Sequence, residues 1–145
     1  MTGRSKRYRV ADTAQQVVGG FLLAGPFVVT EEVWLLADRM QWYHVLTTIV
    51  VVFSIGYGAL YEADDDRDPD READVAGIPI RFVSLMAVAY GAVLVLALAV
   101  TAPTTFATQL ALGTETGVVA ALTAKAVCVG AIFSVVGAAT ADSVF

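Results

Sequence analysis

The sequence predicts an all-α, polytopic membrane protein: a four-transmembrane-helix bundle with both termini cytoplasmic that assembles as a homo-oligomer. Three observations carry this expectation. Apolar residues make up 57% of the chain and mean hydropathy is +0.70, whereas a soluble domain is about 45–50% apolar. The charged residues gather in a basic block at Arg4–Arg9 and an acidic block at Glu62–Asp74, leaving long runs almost free of charge. Four of those runs reach the roughly 17–25 residues that a helix needs to cross hydrocarbon.

A single transmembrane domain, 1–145, therefore divides into spans at about 13–37, 44–61, 80–102 and 117–141, with an acidic cytoplasmic loop at 62–79. Span 1 follows a basic stretch, as a signal peptide would. Pro26 and Glu31–Glu32 interrupt its apolar run, however, and no small-residue cleavage site follows, so it reads as an uncleaved helix. The short Asp38–Tyr43 connection makes spans 1 and 2 an antiparallel hairpin. Pro103–Thr116 reads as a polar loop without Lys or Arg.

Orientation follows from the positive-inside rule. With the N-terminus inside, Arg4, Lys6, Arg7, Arg9, Arg67, Arg71 and Arg81 are cytoplasmic, and the outer connections hold only Arg39. Trp34, Trp42 and Tyr43 would then form the outer aromatic belt, with Tyr8, Tyr57 and Tyr61 near the inner face. Small residues recur on one face of each later span: Ser54 and Gly58, Ala87 and Gly91, and Ala126, Gly130, Ser134 and Ala138. Helices in lipid associate where their backbones can approach closely, so these faces are expected helix–helix contacts, within or between protomers. A bundle this small has little interior of its own, which favours a homo-oligomer in the lipid bilayer.

The acidic loop alternates Asp64, Asp66, Asp68, Asp70, Glu72 and Asp74, as the start of an EF-hand calcium loop does. Counted from Asp64, its sixth position is Pro69 rather than Gly and its twelfth is Val75 rather than Glu. It reads as a solvated, self-repelling loop. Cys128 is the only cysteine and His44 the only histidine. They exclude an intrachain disulfide and a histidine metal cluster, and no cofactor or metal site is expected. Cys128 reads as a packing residue, and His44 as an interfacial one beside Trp42 and Tyr43. With only two lysines and much Asp, Ala and Val, the composition is that of a halophilic archaeon. The basic block reads as a topology anchor, so no nucleic acid partner is expected.

The stretch that could carry chemistry is Gly25-Pro26-Phe27-Val28-Val29-Thr30-Glu31-Glu32-Val33-Trp34. Pro26 cannot donate to the Leu22 carbonyl and is the expected helix break. On a straight span at about 1.5 Å per residue, Glu31 lies roughly 10 Å below the outer end. An acidic residue costs about 2.5–3.5 kcal/mol at the centre of a span and somewhat less at this depth, so the pair needs a partner, water or protonation. Lys125, roughly 12 Å deep by the same rise, is the expected ion-pair partner of Glu31 or Glu32.

The same stretch resembles the first-span signature of a family of small integral membrane proteins of unknown function found in haloarchaea and some bacteria. The resemblance implies a membrane location and carries over no catalytic or binding residues.

Two functions fit these residues. In the first, an oligomeric channel or transporter for cations or protons uses Glu31, Glu32 and Thr30 as ion-binding or proton-carrying groups, the glutamates forming an acidic ring. In the second, Glu31, Glu32 and Lys125 form a buried packing network in a non-enzymatic structural or accessory subunit of a larger membrane complex. No nucleophile–base pair is apparent, so an enzyme is not expected. The location is the cell membrane, multi-pass.

Overall fold

The computed structural model describes residues 8–62 and 74–144, and the all-α class holds for them. Helix α1 (Val10–Val28) starts where the Asp12 carboxylate accepts the Arg9 backbone N–H at 2.7 Å, tying down one of the amides that a helix start leaves without a partner. It runs through Pro26 to a break at Val29–Thr30, where a short helix α2 (Glu31–Arg39) leaves at 83°. The expected span 13–37, with its break expected at Pro26, is thus two helices that part at Val29–Thr30. The 19 residues of α1 rise about 28 Å, close to the ~30 Å of hydrocarbon in a bilayer. In length α1 is thus nearly a span, but it is apolar enough to count as one only together with α2.

Helix α3 (Trp42–Tyr57) begins with the Gln41 N–H donating to His44 Nδ1 at 2.9 Å and ends in a π-helical turn, Gly58–Glu62. Most of the acidic loop, 63–73, lies outside the described residues. Its end is a small hairpin pairing Asp74–Val75 (β1) with Ile78–Pro79 (β2) across Ala76 and Gly77. Both turn residues have positive φ, 53° and 84°, as a tight two-residue hairpin requires. Helix α4 (Ile80–Ala99) follows directly.

The connection expected to be a loop at 103–116 instead contains helix α5 (Ala102–Gln109). Thr101 turns the chain with φ 60°, and Pro103 stands in the first turn, where a missing N–H costs nothing. Helix α6 (Thr116–Val144) then returns the full length of the bundle. Among the described residues, three helices are long and apolar enough to cross a membrane: α3 extended to Tyr61, α4, and α6. A fourth crossing results if α1 and α2 count as one bent span.

Helix α6 is the centre of the packing, with α1 and α4 on it most extensively and α3 along its side. Its small face explains this: Ala126, Gly130, Ser134 and Ala138 are all buried inside the protomer. The tightest point is between α1 and α6. A Cβ on Gly19 would overlap the Gly137 carbonyl, and one on Gly137 would overlap that of Gly19. The expected faces of the other spans differ. Ser54 is exposed and Gly58 meets nothing, while Gly56 approaches Met86, Leu85 and Val135. Ala87 and Gly91 border an open groove, and a Cβ on Gly91 would meet nothing within 4 Å.

Two apolar clusters divide the core. One joins Val52 and Leu60 of the α3 segment to Leu85, Ala89 and Val135 near the chain termini, here called the proximal end. The other joins Ala24 and Val28 to Trp34, Phe106 and Leu122 at the opposite, distal end. Trp34 does not belong to an aromatic belt: it is 0% exposed and stacks on Phe106 at 5.5 Å. Trp42 and Tyr43 do stand exposed at the start of α3.

Candidate functional site

The distal elbow is built by the stretch that stood out in the sequence. Pro26 weakens the last turns of α1 by withholding an N–H, and the β-branched run Val28-Val29-Thr30 adds residues that fit a helix poorly. The helix nonetheless continues two residues past Pro26, and the break falls where Thr30 becomes extended, φ −105° and ψ 139°. The carbonyls opened by the break are taken up locally. Phe27 O accepts both the Thr30 N–H at 3.1 Å and the Thr30 hydroxyl at 2.8 Å. Val28 O accepts the Trp34 indole N–H at 2.8 Å, so the buried tryptophan satisfies the carbonyl that the bend exposes.

This geometry changes the reading of Glu31 and Glu32. They are the first two residues of α2, where the helix N-terminus carries partial positive charge and favours carboxylates. Both are exposed. The depth of roughly 10 Å assumed a straight span. With an 83° bend the pair lies level with the rest of α2, beside the distal end of α1. Lys125 is half-buried on α6, between Leu122 and Ala126, which pack in the same cluster as Val33, Trp34 and Ala37 of α2. Among the described residues, no ion pair within 4.0 Å joins Lys125 to either glutamate. The elbow brings α2 against α6 by its apolar face and leaves the carboxylates exposed.

The buried charges sit at the proximal end instead, on residues that the sequence reading passed over. Arg81, 1% exposed, enters α4 at its second position. Its Nη1 reaches both oxygens of Asp142 at 2.9 and 3.1 Å, and its Nη2 reaches Asp12 Oδ2 at 3.2 Å. The guanidinium carbon also lies 5.8 Å from the centre of the Tyr8 ring. Asp142 belongs to α6 and Asp12 to α1, so one guanidinium ties three helices.

A hydrogen-bond chain extends this network. Gln16 Nε2 donates to Asp142 Oδ2 at 3.2 Å, and the Ser84 hydroxyl donates to Gln16 Oε1 at 2.7 Å. Ser84 has then spent its only proton, so Thr13, 2.8 Å away, must donate to it. By the same count Tyr8 donates to Thr13. Every hydroxyl points one way, toward a carboxylate that also faces Arg81. Such a chain satisfies Gln16 and Asp142, both fully buried, and locks α1, α4 and α6 in register. Above it, an apolar groove of about 430 Å³ opens between α1 and α4, with Thr13 and Ser84 at its polar end and Val17, Phe21, Ala87 and Gly91 along it.

A sequence signal for this network exists. Asp12, Arg81 and Asp142 each lie within a few residues of the same end of a different span, as they must if the spans alternate direction. Cys128 is half-buried in α6, within hydrogen-bonding reach of Thr48 and close to Tyr90. His44 is committed as an acceptor at the start of α3, its ring tilted at 43° against Tyr43 with centroids 4.3 Å apart. Among the described residues no group of three His, Cys, Asp or Glu side chains could hold a metal ion.

Apolar helices of spanning length, packed through small residues and closed at one end by buried ion pairs, define an α-helical integral membrane protein. Within that class, residues 2–143 match the family described as "Putative integral membrane protein (DUF2391)", and the chain belongs to it. Comparison with curated proteins and with solved structures finds no match.

Proposed function

We propose that the protein is a non-enzymatic structural or accessory subunit of the cell membrane, working through what it assembles with. The observation that carries this reading is the proximal network. The charges buried at the edge of the bundle are used on one another, Arg81 with Asp12 and Asp142, which is how buried ion pairs fix geometry. That role was expected of Glu31, Glu32 and Lys125; the reading now rests on different residues. The single histidine supports a non-enzymatic role because its Nδ1 caps α3.

In this reading both termini are cytoplasmic, as the basic N-terminal block favours. The chain meets lipid through the exposed face of α3, which carries Leu46, Val50 and Phe53. The acidic sequence, pI about 4.6 with two lysines, suits a high-salt setting. Purification in native lipid discs should recover the chain in a defined assembly, with itself or with a larger membrane complex. Recovery of single, unaccompanied copies at every concentration would sink the proposal.

A second reading, an oligomeric channel or transporter for cations or protons, is favoured by one specific observation. Glu31 and Glu32 are adjacent and exposed at the distal end, where copies around an axis would place an acidic ring. Thr30 would add a hydroxyl beside them. Planar-bilayer recordings test it: cation current lost in Glu31→Gln or Glu32→Gln with assembly intact supports conduction, and silence under every gradient rejects it.

A further inference from the structure

We infer that Lys125 of one copy pairs with Glu31 or Glu32 of a second copy of this chain, joining the distal half of α6 to the start of α2 across a self-complementary contact. This deepens the assembly reading above and rests on it. Lys125 is half-buried next to Leu122 and Ala126, the α6 residues that share a cluster with Val33, Trp34 and Ala37 of α2. The ammonium and the two carboxylates therefore belong to one level of the bundle. Among the described residues they form no ion pair within the chain. A half-buried cation within an apolar helix and an exposed carboxylate pair at the same level are complementary in charge, and each gains from meeting the other.

The chain itself supplies the complement of each charge, which is why the occupant is a second copy. Around Lys125 the outward face of α6 is made of Ala120, Ala121 and Ala124, all exposed. Alanines let another helix approach closely enough for a lysine to reach across. Beside the glutamates, Val29, Leu35 and Leu36 are 53%, 38% and 59% exposed, an apolar margin without which a charged contact would stay hydrated. In a two-fold arrangement residue i meets residue j and j meets i, so the pair forms twice.

The test uses two differently tagged full-length copies, co-expressed and extracted in lipid discs. Lys125→Glu in both copies, or Glu31→Lys with Glu32→Lys in both, should lower co-purification about tenfold or more, the effect of about 1.4 kcal/mol. Lys125→Glu in one copy with Glu31→Lys and Glu32→Lys in the other should restore it, because both symmetric contacts then pair opposite charges. Restoration also shows that the variants fold. Unchanged association in the like-charged samples, or no recovery in the mixed one, overturns the pair while leaving assembly itself standing. A copy that stays single inside a larger complex overturns the pair and leaves the accessory role. Loss seen only in discs of anionic lipid assigns Lys125 to a lipid phosphate and overturns it as well. Copies that are single and unaccompanied overturn both proposals.

Discussion

At the proximal end, charges from three helices converge, Arg81 and Asp142 buried and Asp12 half-buried, and each finds a partner inside the protomer: Asp12 and Asp142 share Arg81. At the distal end Glu31, Glu32 and Lys125 stay apart, two exposed and one half-buried. The difference is one of helix geometry. At the proximal end α1, α4 and α6 run side by side to a common level, so their terminal side chains converge. At the distal end the chain bends through 83° into α2, which packs on α6 by its apolar face and leaves Glu31 and Glu32 exposed. Charges that converge can fix packing, whereas charges left outward are available to another molecule.

The largest expected effect comes from opening the proximal network. Arg81→Met should destabilise the protein by about 3–5 kcal/mol, because it leaves Asp142 buried and uncompensated. Thermal unfolding in lipid discs measures this. Asp142→Asn added to Arg81→Met should recover part of the loss, since the stranded charge is then gone. Losses that simply add would mean that the two residues do not form a unit.

The helix crossing between the ends comes next. Gly19→Leu forces a side chain into the Gly137 backbone and should cost about 1–3 kcal/mol or more. Gly91→Leu enters the open groove, where a Cβ meets nothing within 4 Å, and should change stability by no more than about 0.5 kcal/mol. Equal effects at the two glycines would show that α1 and α6 do not cross at Gly19.

At the elbow, Trp34→Phe keeps a ring for Phe106 but strands the Val28 carbonyl in a buried site. The expected loss is about 1–3 kcal/mol, read in the same unfolding measurement. A neutral outcome would mean that the carbonyl reaches water and that the bend needs no tryptophan.

The elbow also shows what the sequence could and could not convey. Hydropathy made the long helices and the all-α class legible, since crossing length is a property of one segment at a time. The small face of α6 was legible for the same reason, as a four-residue repeat. A break near Pro26 was legible, but its place and its 83° were not, because a proline advertises a weak turn without fixing where the helix gives way; the bend settles where Trp34 reaches the Val28 carbonyl. Helix α5 was hidden by its polar threonines, although Phe106 within it packs on Trp34. The proximal network was overlooked because each member sits at a span's end, where charge is ordinary. Only the convergence of three ends makes it unusual.

The smallest expected effect is at the residues that looked most unusual in the sequence. As first-turn residues of α2, Glu31 and Glu32 interact with the helix N-terminus, a contribution of about 0.3–1 kcal/mol that salt screens. Glu31→Gln and Glu32→Gln should therefore lower the stability of the isolated copy by that amount at low salt and by less at high salt. The same substitutions at an Arg81-type site would be severe at any salt, because buried pairs are screened far less. A loss of several kcal/mol in Glu31→Gln, insensitive to salt, would place that carboxylate in a buried contact and erase the distinction between the two ends. A small, salt-sensitive loss leaves the glutamates unneeded for folding, which is the condition under which their charge is free to serve an interface.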